Sequence, residues 1–231
     1  MKKIIISGSS SGIGRAITEK LLGLGHQVIG LARNHQKFNP NHAGYLTYSV
    51  DFSDINTADR LLKNIQSEHA DVDAIIGNAG YGRFGSLEQF STEQICDLLN
   101  VNFLGQVLLV KHFLPALKQQ KKGKIILMGS EAALNGARQG SIYCATKFAL
   151  RGFAQSLRQE CRTAGVAVTL INPGFVNTPF FNPLSFAPGD DPENALQPED
   201  IADTIVHLLA ADNRYVVEEI NIQPLKPVLK R

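Results

Sequence analysis

The sequence predicts an α/β fold in which a parallel sheet is covered by helices on both faces. Short apolar runs rich in β-branched residues alternate with stretches of helical period along the 231 residues. Those runs are nearly continuous in apolar character rather than alternating, as strands buried on both faces require. A glycine-rich turn, Gly8-Ser9-Ser10-Ser11-Gly12-Ile13-Gly14, leads straight from the first run into the first helical pattern.

Lys3 to Ser7 is the first strand. Ile13, Ile17, Leu21 and Leu24 then share one helical face, and Gly25 is the stop signal. Gln27 to Leu31 and Tyr45 to Val50 are the second and third strands, and Ile55, Ala58, Leu61, Leu62 and Ile65 mark the next helix. After the strand Val72 to Ile76, Ser91-Thr92-Glu93-Gln94 has the form of a capping box and opens one long helix through about Gln119. Strand Lys124 to Met128, a helix over Ser141 to Ala164, strand Val166 to Ile171, a helix from about Glu199 to Ala210 and strand Tyr215 to Ile222 complete the pattern. Residues 179–197, rich in Pro, Asn and Asp, form the one long irregular loop.

With 44% hydrophobic residues, residues 1–231 suit a single domain with a full core. A net charge of +2 argues against nucleic acid and against an acidic membrane surface as partners. No apolar run reaches the ~18 residues that a bilayer span requires. Cys96, Cys144 and Cys161 are odd in number and follow no ligand spacing, which points to free thiols in a reducing compartment. A cytoplasmic protein is expected. None of the six histidines has paired ligand spacing, so no metal is predicted.

A strand–glycine turn–helix unit aims backbone N–H groups and a positive helix end at an anion. At the end of the second strand, Leu31-Ala32-Arg33-Asn34 carries an arginine and no acid. An acid there would bond the ribose 2′-hydroxyl of NAD, whereas Arg33 suits a 2′-phosphate, so NADP is favoured over NAD. Tyr143 and Lys147 lie four apart on a predicted helix and share a face. The ammonium is expected to lower the phenol pKa toward the range useful for acid/base work. Asn102 falls on the apolar stripe Ile95, Leu98, Asn102, Leu109, where a polar side chain must find a partner. A competing reading takes Gly8-Ser9-Ser10-Ser11-Gly12 as a hydrolase elbow, with Ser10 as nucleophile, His207 as base and Asp190 or Asp200 between them.

Taken together these stretches resemble the short-chain dehydrogenase/reductase family, of the compact single-domain kind, over essentially the whole chain. Ser7-Gly8-Ser9-Ser10-Ser11-Gly12-Ile13-Gly14 resembles the family's glycine motif, and Asp51-Phe52 the pair that contacts adenine. Gly77-Asn78-Ala79-Gly80 is similar to its Asn-Asn-Ala-Gly, and Asn100-Val101-Asn102 carries its helix asparagine. Ser130 precedes Tyr143 at the family interval, and Pro173-Gly174-Phe175-Val176-Asn177-Thr178 resembles the segment that holds the nicotinamide. The resemblance implies a Rossmann-like, doubly wound, seven-stranded parallel sheet of order 3-2-1-4-5-6-7.

It also implies an oxidoreductase moving a hydride between NADP and a carbonyl or alcohol. Asn102, Ser130, Tyr143 and Lys147 would be catalytic, with Tyr143 the proton donor, Ser130 on the substrate oxygen and Asn102 anchoring a water toward Lys147. The cofactor would rest on Gly8, Ser10, Ser11, Gly12, Ile13 and Gly14, on Arg33, Asp51 and Phe52, and on Asn78, Ala79 and Gly80. Its nicotinamide end would meet Tyr143, Lys147, Pro173, Gly174, Val176 and Thr178. A homodimer or homotetramer is implied as well. The departures are Gly77, where the family has asparagine, and a rather short chain. Phe180, Phe181, Leu184 and Phe186 in the long loop suit an alcohol, ketone or aldehyde with apolar bulk, and Tyr81, Phe84 and Glu131 are placed in the same pocket. A non-catalytic NADP(H) sensor on the same scaffold is the remaining alternative.

Overall fold

The structure, a computed structural model, describes residues 1–36, 38–212 and 214–230. Seven strands form one sheet, every neighbouring pair parallel. They are β1 (Lys3–Ser7), β2 (Gln27–Ala32), β3 (Tyr45–Ser49), β4 (Ala74–Gly77), β5 (Gly123–Met128), β6 (Val166–Pro173) and β8 (Glu219–Ile222). Their order is β3-β2-β1-β4-β5-β6-β8, the predicted doubly wound order with β8 as the seventh strand. The intervening β7 (Ala187–Pro188) pairs antiparallel with β9 (Leu229–Lys230), a two-residue ribbon that was not expected.

Helices α1 (Gly12–Gly23) and α6 (Pro198–Ala210) cover one face; α2 (Ile55–Glu68), α4 (Gly105–Gln120) and α5 (Ser141–Cys161) cover the other. Successive side chains of a strand point to opposite faces, so Ile5 joins the α2–α4–α5 core while Ile4 and Ile6 join the α1–α6 core. Strand order reverses between β1 and β4, and the crevice that such a reversal opens lies beyond the strands' carboxyl ends. Among the described residues no helix is long and apolar enough to cross a membrane.

The long helix expected from Ser91 to Gln119 is instead divided. Helix α3 (Thr92–Leu99), with its capping box at Ser91 and Gln94, passes through one π-helical turn (Asn100–Leu104) before α4. The wide turn brings Gly105 against the Phe52 ring, where a Cβ would lie 2.5 Å from the ring. It also turns Asn102 fully inward. The last strand of the sheet is shorter than expected: Tyr215 is exposed and pairing begins only at Glu219.

Candidate active site

A cleft of about 960 Å³ lies at the carboxyl edge of the sheet. The glycine turn forms one end, through Gly8, Ser11, Gly12 and Ile13, with Arg33 exposed at its lip. Asn78, Ala79, Gly80 and Tyr81 follow β4 along the middle. Ser130, Glu131, Tyr143 and Lys147 face Pro173, Gly174, Val176 and Thr178 at the reactive end. Phe180 and Phe181 close it.

Five residues expected at the catalytic and cofactor positions do not line the cleft. Gly14 is buried under the turn, where a Cβ would overlap the Gly8 carbonyl oxygen, and Ser10 is half-buried beside it. Phe52 is committed to the core against Gly105. Asp51 is exposed, its Oδ1 accepting from the Ser53 amide and hydroxyl at 2.9 and 2.8 Å. Neither therefore presents a side chain to the cleft. Asn102 lies behind the wall. Its Oδ1 accepts the Tyr81 N–H at 2.9 Å and its Nδ2 donates to the Tyr81 carbonyl at 2.9 Å, so its expected polar partner is the Gly80–Tyr81 backbone.

The anion end is built from backbone. Gly8 and Gly12 have φ values of +71° and +49°, a left-handed geometry that disfavours any residue with a Cβ. Ser11 precedes α1 without a side-chain cap, leaving first-turn N–H groups to a ligand. A Cβ at Gly12 would touch Thr178 at 3.2 Å, so the loop after β6 closes directly on the turn. These features fit a dinucleotide pyrophosphate.

At the reactive end, Tyr143 and Lys147 are both buried on the inner face of α5. The Lys147 Nζ donates to the Met128 carbonyl at 3.0 Å and sits 5.8 Å from the centre of the Tyr143 ring. Burial, rather than the lysine, dominates the phenol. It pushes the Tyr143 pKa up to about 12, with the Ser130 hydroxyl pulling the other way and Glu131 adding to the rise. The expected lowering by Lys147 is thus not what the structure gives. The ammonium is itself desolvated, its pKa lowered to about 8. Burial thus favours the neutral phenol at Tyr143.

Two positioning side chains carry no clear signature in the sequence. Asn172, fully buried on β6, accepts the Ser130 N–H through Oδ1 at 3.3 Å and donates to Glu219 at 2.7 Å and Asn221 at 2.9 Å. Gln106, one turn beyond Asn102, lies behind Ala79. A buried amide on a strand or helix signals only that it has partners, and which partners depends on elements distant in sequence.

On the substrate side, five rings form a closed circuit. Centroids are 5.1 Å apart for Phe84–Tyr143, 5.9 Å for Tyr143–Phe180, 5.2 Å for Phe180–Phe181, 6.0 Å for Phe181–Phe186 and 5.0 Å for Phe186–Phe84. Leu184, expected with them, does not line the cleft. Leu229 does, because β9 lays the chain's end against the 179–197 loop. Gly189 N–H donates to the Val228 carbonyl at 2.8 Å, Asn194 donates to the Lys226 carbonyl at 2.8 Å, and Lys226–Glu193 and Lys230–Asp190 pair outside. Opposite the rings, burial raises the Glu131 carboxyl, which Gln223 of the same tail opposes.

The hydrolase arrangement is excluded by topology. His207 is exposed near the end of α6, and the neighbouring Leu208 carbonyl accepts from Lys124 at the amino end of β5. Ser10 follows the carboxyl end of β1, at the opposite edge of the sheet. Asp190 pairs with Lys230, and Asp200 accepts the Gln197 N–H at 2.8 Å as part of a helix cap.

A family model described as short chain dehydrogenase matches residues 2–187. The sepiapterin reductase of Chlorobaculum tepidum is 32% identical over 244 aligned positions, covering 96% of this chain and 95% of that one. The alcohol dehydrogenase of Thermococcus sibiricus, solved with 5-hydroxy-NADP, superposes with a TM-score of 0.86 at 28% identity, covering both chains fully. A metagenomic short-chain oxidoreductase solved with NADP reaches a TM-score of 0.81 at 28% identity, covering 99% of this chain and 98% of that one.

Proposed function

The chain belongs to the short-chain dehydrogenase family, and from that premise we propose that it is an NADP(H)-dependent reductase of carbonyl compounds with apolar bulk, Tyr143 serving as the acid. One observation carries the reading. A buried, neutral phenol faces the same cleft whose far end is a glycine turn shaped for a pyrophosphate. Both solved relatives named above hold an NADP-type ligand, and Arg33, with no acid at Ala32, suits the 2′-phosphate.

When bound, NADPH supplies the hydride that reduces the carbonyl carbon. The rest falls to this chain. Tyr143 gives its proton to the substrate oxygen as negative charge develops there. Ser130, held from behind by Asn172, offers a hydroxyl to the same oxygen. Lys147 places a buried positive charge beside the phenol, which eases the loss of that proton. Asn102 fixes the Tyr81 backbone and with it the course of Gly80 past Lys147. The aromatic circuit excludes water and receives the apolar part of the substrate.

The test is a fluorescence titration with NADPH and NADH, followed by a screen of ketones and aldehydes read at 340 nm. Tight NADPH binding with turnover of bulky apolar ketones is expected. Binding without turnover of any carbonyl, unaltered by Tyr143→Phe, would leave a nucleotide sensor in its place.

A further inference from the structure

We propose that Gln106 is a positioning residue for the cofactor cleft, occupying the space that a side chain at position 77 would take and holding the Asn78–Ala79 backbone in its stead. The proposal rests on the cofactor reading above. Gln106 and Ser7 are both buried at the junction of α4, β1 and β4. The Ser7 hydroxyl donates to Gln106 Oε1 at 2.8 Å and accepts the N–H groups of Asn78 and Ala79 at 2.9 and 3.0 Å. Gln106 Nε2 donates to the Ala79 carbonyl at 2.8 Å and to the Val101 carbonyl at 3.2 Å.

Every polar atom in this chain of bonds is used. A hydroxyl has one proton and two lone pairs, and Ser7 spends all three. The carbonyls of Ala79 and Val101 can only accept, so the NH₂ of Gln106 must face them and its oxygen must face Ser7. The network spans the place where strand order reverses, and it ties the end of β4 to the end of β1.

Gly77 explains why the tie comes from a helix. A Cβ at Gly77 would lie 3.0 Å from Gln106 Oε1 and 2.8 Å from Leu127 Cδ2. A side chain at 77 would therefore press on both Leu127 and the Gln106 amide, and each would have to shift to admit it. Gly77 has no side chain to hold the strand end, and the Ala79 carbonyl is bonded from α4 instead. Four residues earlier, Asn102 grips Tyr81 through both its N–H and its carbonyl. Two amides four residues apart thus hold Ala79 and Tyr81, on either side of the cleft-lining Gly80.

The test compares wild type, Gln106→Leu, Gln106→Ala, Gly77→Asn and the double variant Gly77→Asn/Gln106→Ala, reading the NADPH Kd by nicotinamide fluorescence and folding by thermal melting. Gln106→Leu preserves volume but strands the Ser7 hydroxyl and the Ala79 carbonyl, so Kd rises about tenfold or more while the melt stays cooperative. Gly77→Asn alone weakens binding similarly, and the double variant recovers part of the loss, because the space vacated at Gln106 admits the new side chain while the Leu127 contact remains. A Gln106→Leu Kd within about twofold of wild type, or a double variant as poor as the sum of its singles, overturns the proposal.

Amide exchange of the ligand-free proteins separates this inference from its premise. Faster exchange at Asn78 and Ala79 in Gln106→Leu supports the positioning role even where wild type binds no NADPH, a result that would count against the cofactor reading alone. Unchanged exchange at both amides overturns the role.

Discussion

The two ends of the cleft are built by different means. The cofactor end is assembled from the termini of buried parallel strands, and buried side chains tie its loops together: Ser7 with Gln106, Asn102 with Tyr81, Asn172 with Ser130. The substrate end is a long loop of 3₁₀ turns sewn to the chain's last residues by a two-residue ribbon and by exposed ion pairs. Buried, saturated hydrogen bonds are costly to break, whereas exposed ion pairs contribute only about 0–1 kcal/mol each. On the function proposed above, the first end would be pre-set for the cofactor, and the second would meet the part of the substrate that varies.

The contrast predicts that damage at the cofactor end affects all substrates alike and damage at the substrate end discriminates among them. Tyr143→Phe should have the largest effect, a fall in turnover of about 10²–10⁴ for every carbonyl compound, with NADPH binding nearly unchanged. A variant that keeps turnover within tenfold would remove the phenol from the proton path.

Because burial holds Tyr143 neutral, with a pKa pushed up to about 12, reductive kcat/KM should be flat from roughly pH 5 to 7, below the pH near 8 where Lys147 begins to lose its charge. Alcohol oxidation needs the phenolate and should rise with pH over the same range and beyond. An oxidative rate indifferent to pH between roughly 7 and 10 contradicts the assignment.

Lys147 offers a stability test at the same end. Its folded pKa, about 8, lies below the ordinary lysine value of 10.5, so the unfolded chain binds more protons between those values. The penalty for the buried ammonium is complete below about pH 8 and is relieved as pH rises toward 10.5. Lys147→Met removes the titrating group, so its stability relative to wild type should decline by about 1–3 kcal/mol from pH 7 to 10. Urea unfolding of both proteins at the two pH values measures it, and a constant difference would refute the desolvation account.

Arg33→Ala should weaken NADPH about tenfold and leave NADH unaffected, since only the 2′-phosphate meets the guanidinium. Equal losses for both nucleotides would sink the phosphate assignment. The smallest effect is expected at the tail. Leu229→Asp should raise KM for a bulky apolar ketone about fivefold, spare a small one and leave NADPH affinity alone. Equal changes for small and bulky ketones would erase the distinction between the two ends.

The regular parts of this architecture were legible because hydrophobic period is a local property. The glycine turn was legible for the same reason: Gly8, Gly12 and Gly14 stand at positions where a side chain is strained or would collide, and no distant partner is needed to see the pattern. The break in the long helix was not, since Asn100–Leu104 keeps the helical period and its widening answers the Phe52 ring from another element. Nor was the state of the phenol. A spacing of four places an ammonium beside Tyr143, but the balance between its charge and the loss of water depends on how completely the pair is covered.

The sequence by itself determined the strand–helix alternation, the anion-binding turn and the set of side chains from which a reductase site could be made. Only the tertiary structure decided that Gln106 lies beside Gly77 and bonds Ser7 and Ala79, that Asn172 holds Ser130, and that Leu229 reaches the cleft. The physical reason is the range of the interactions. Propensity and period act over a few residues, whereas hydrogen bonding and desolvation at this site join positions separated by tens of residues, and only packing brings those together.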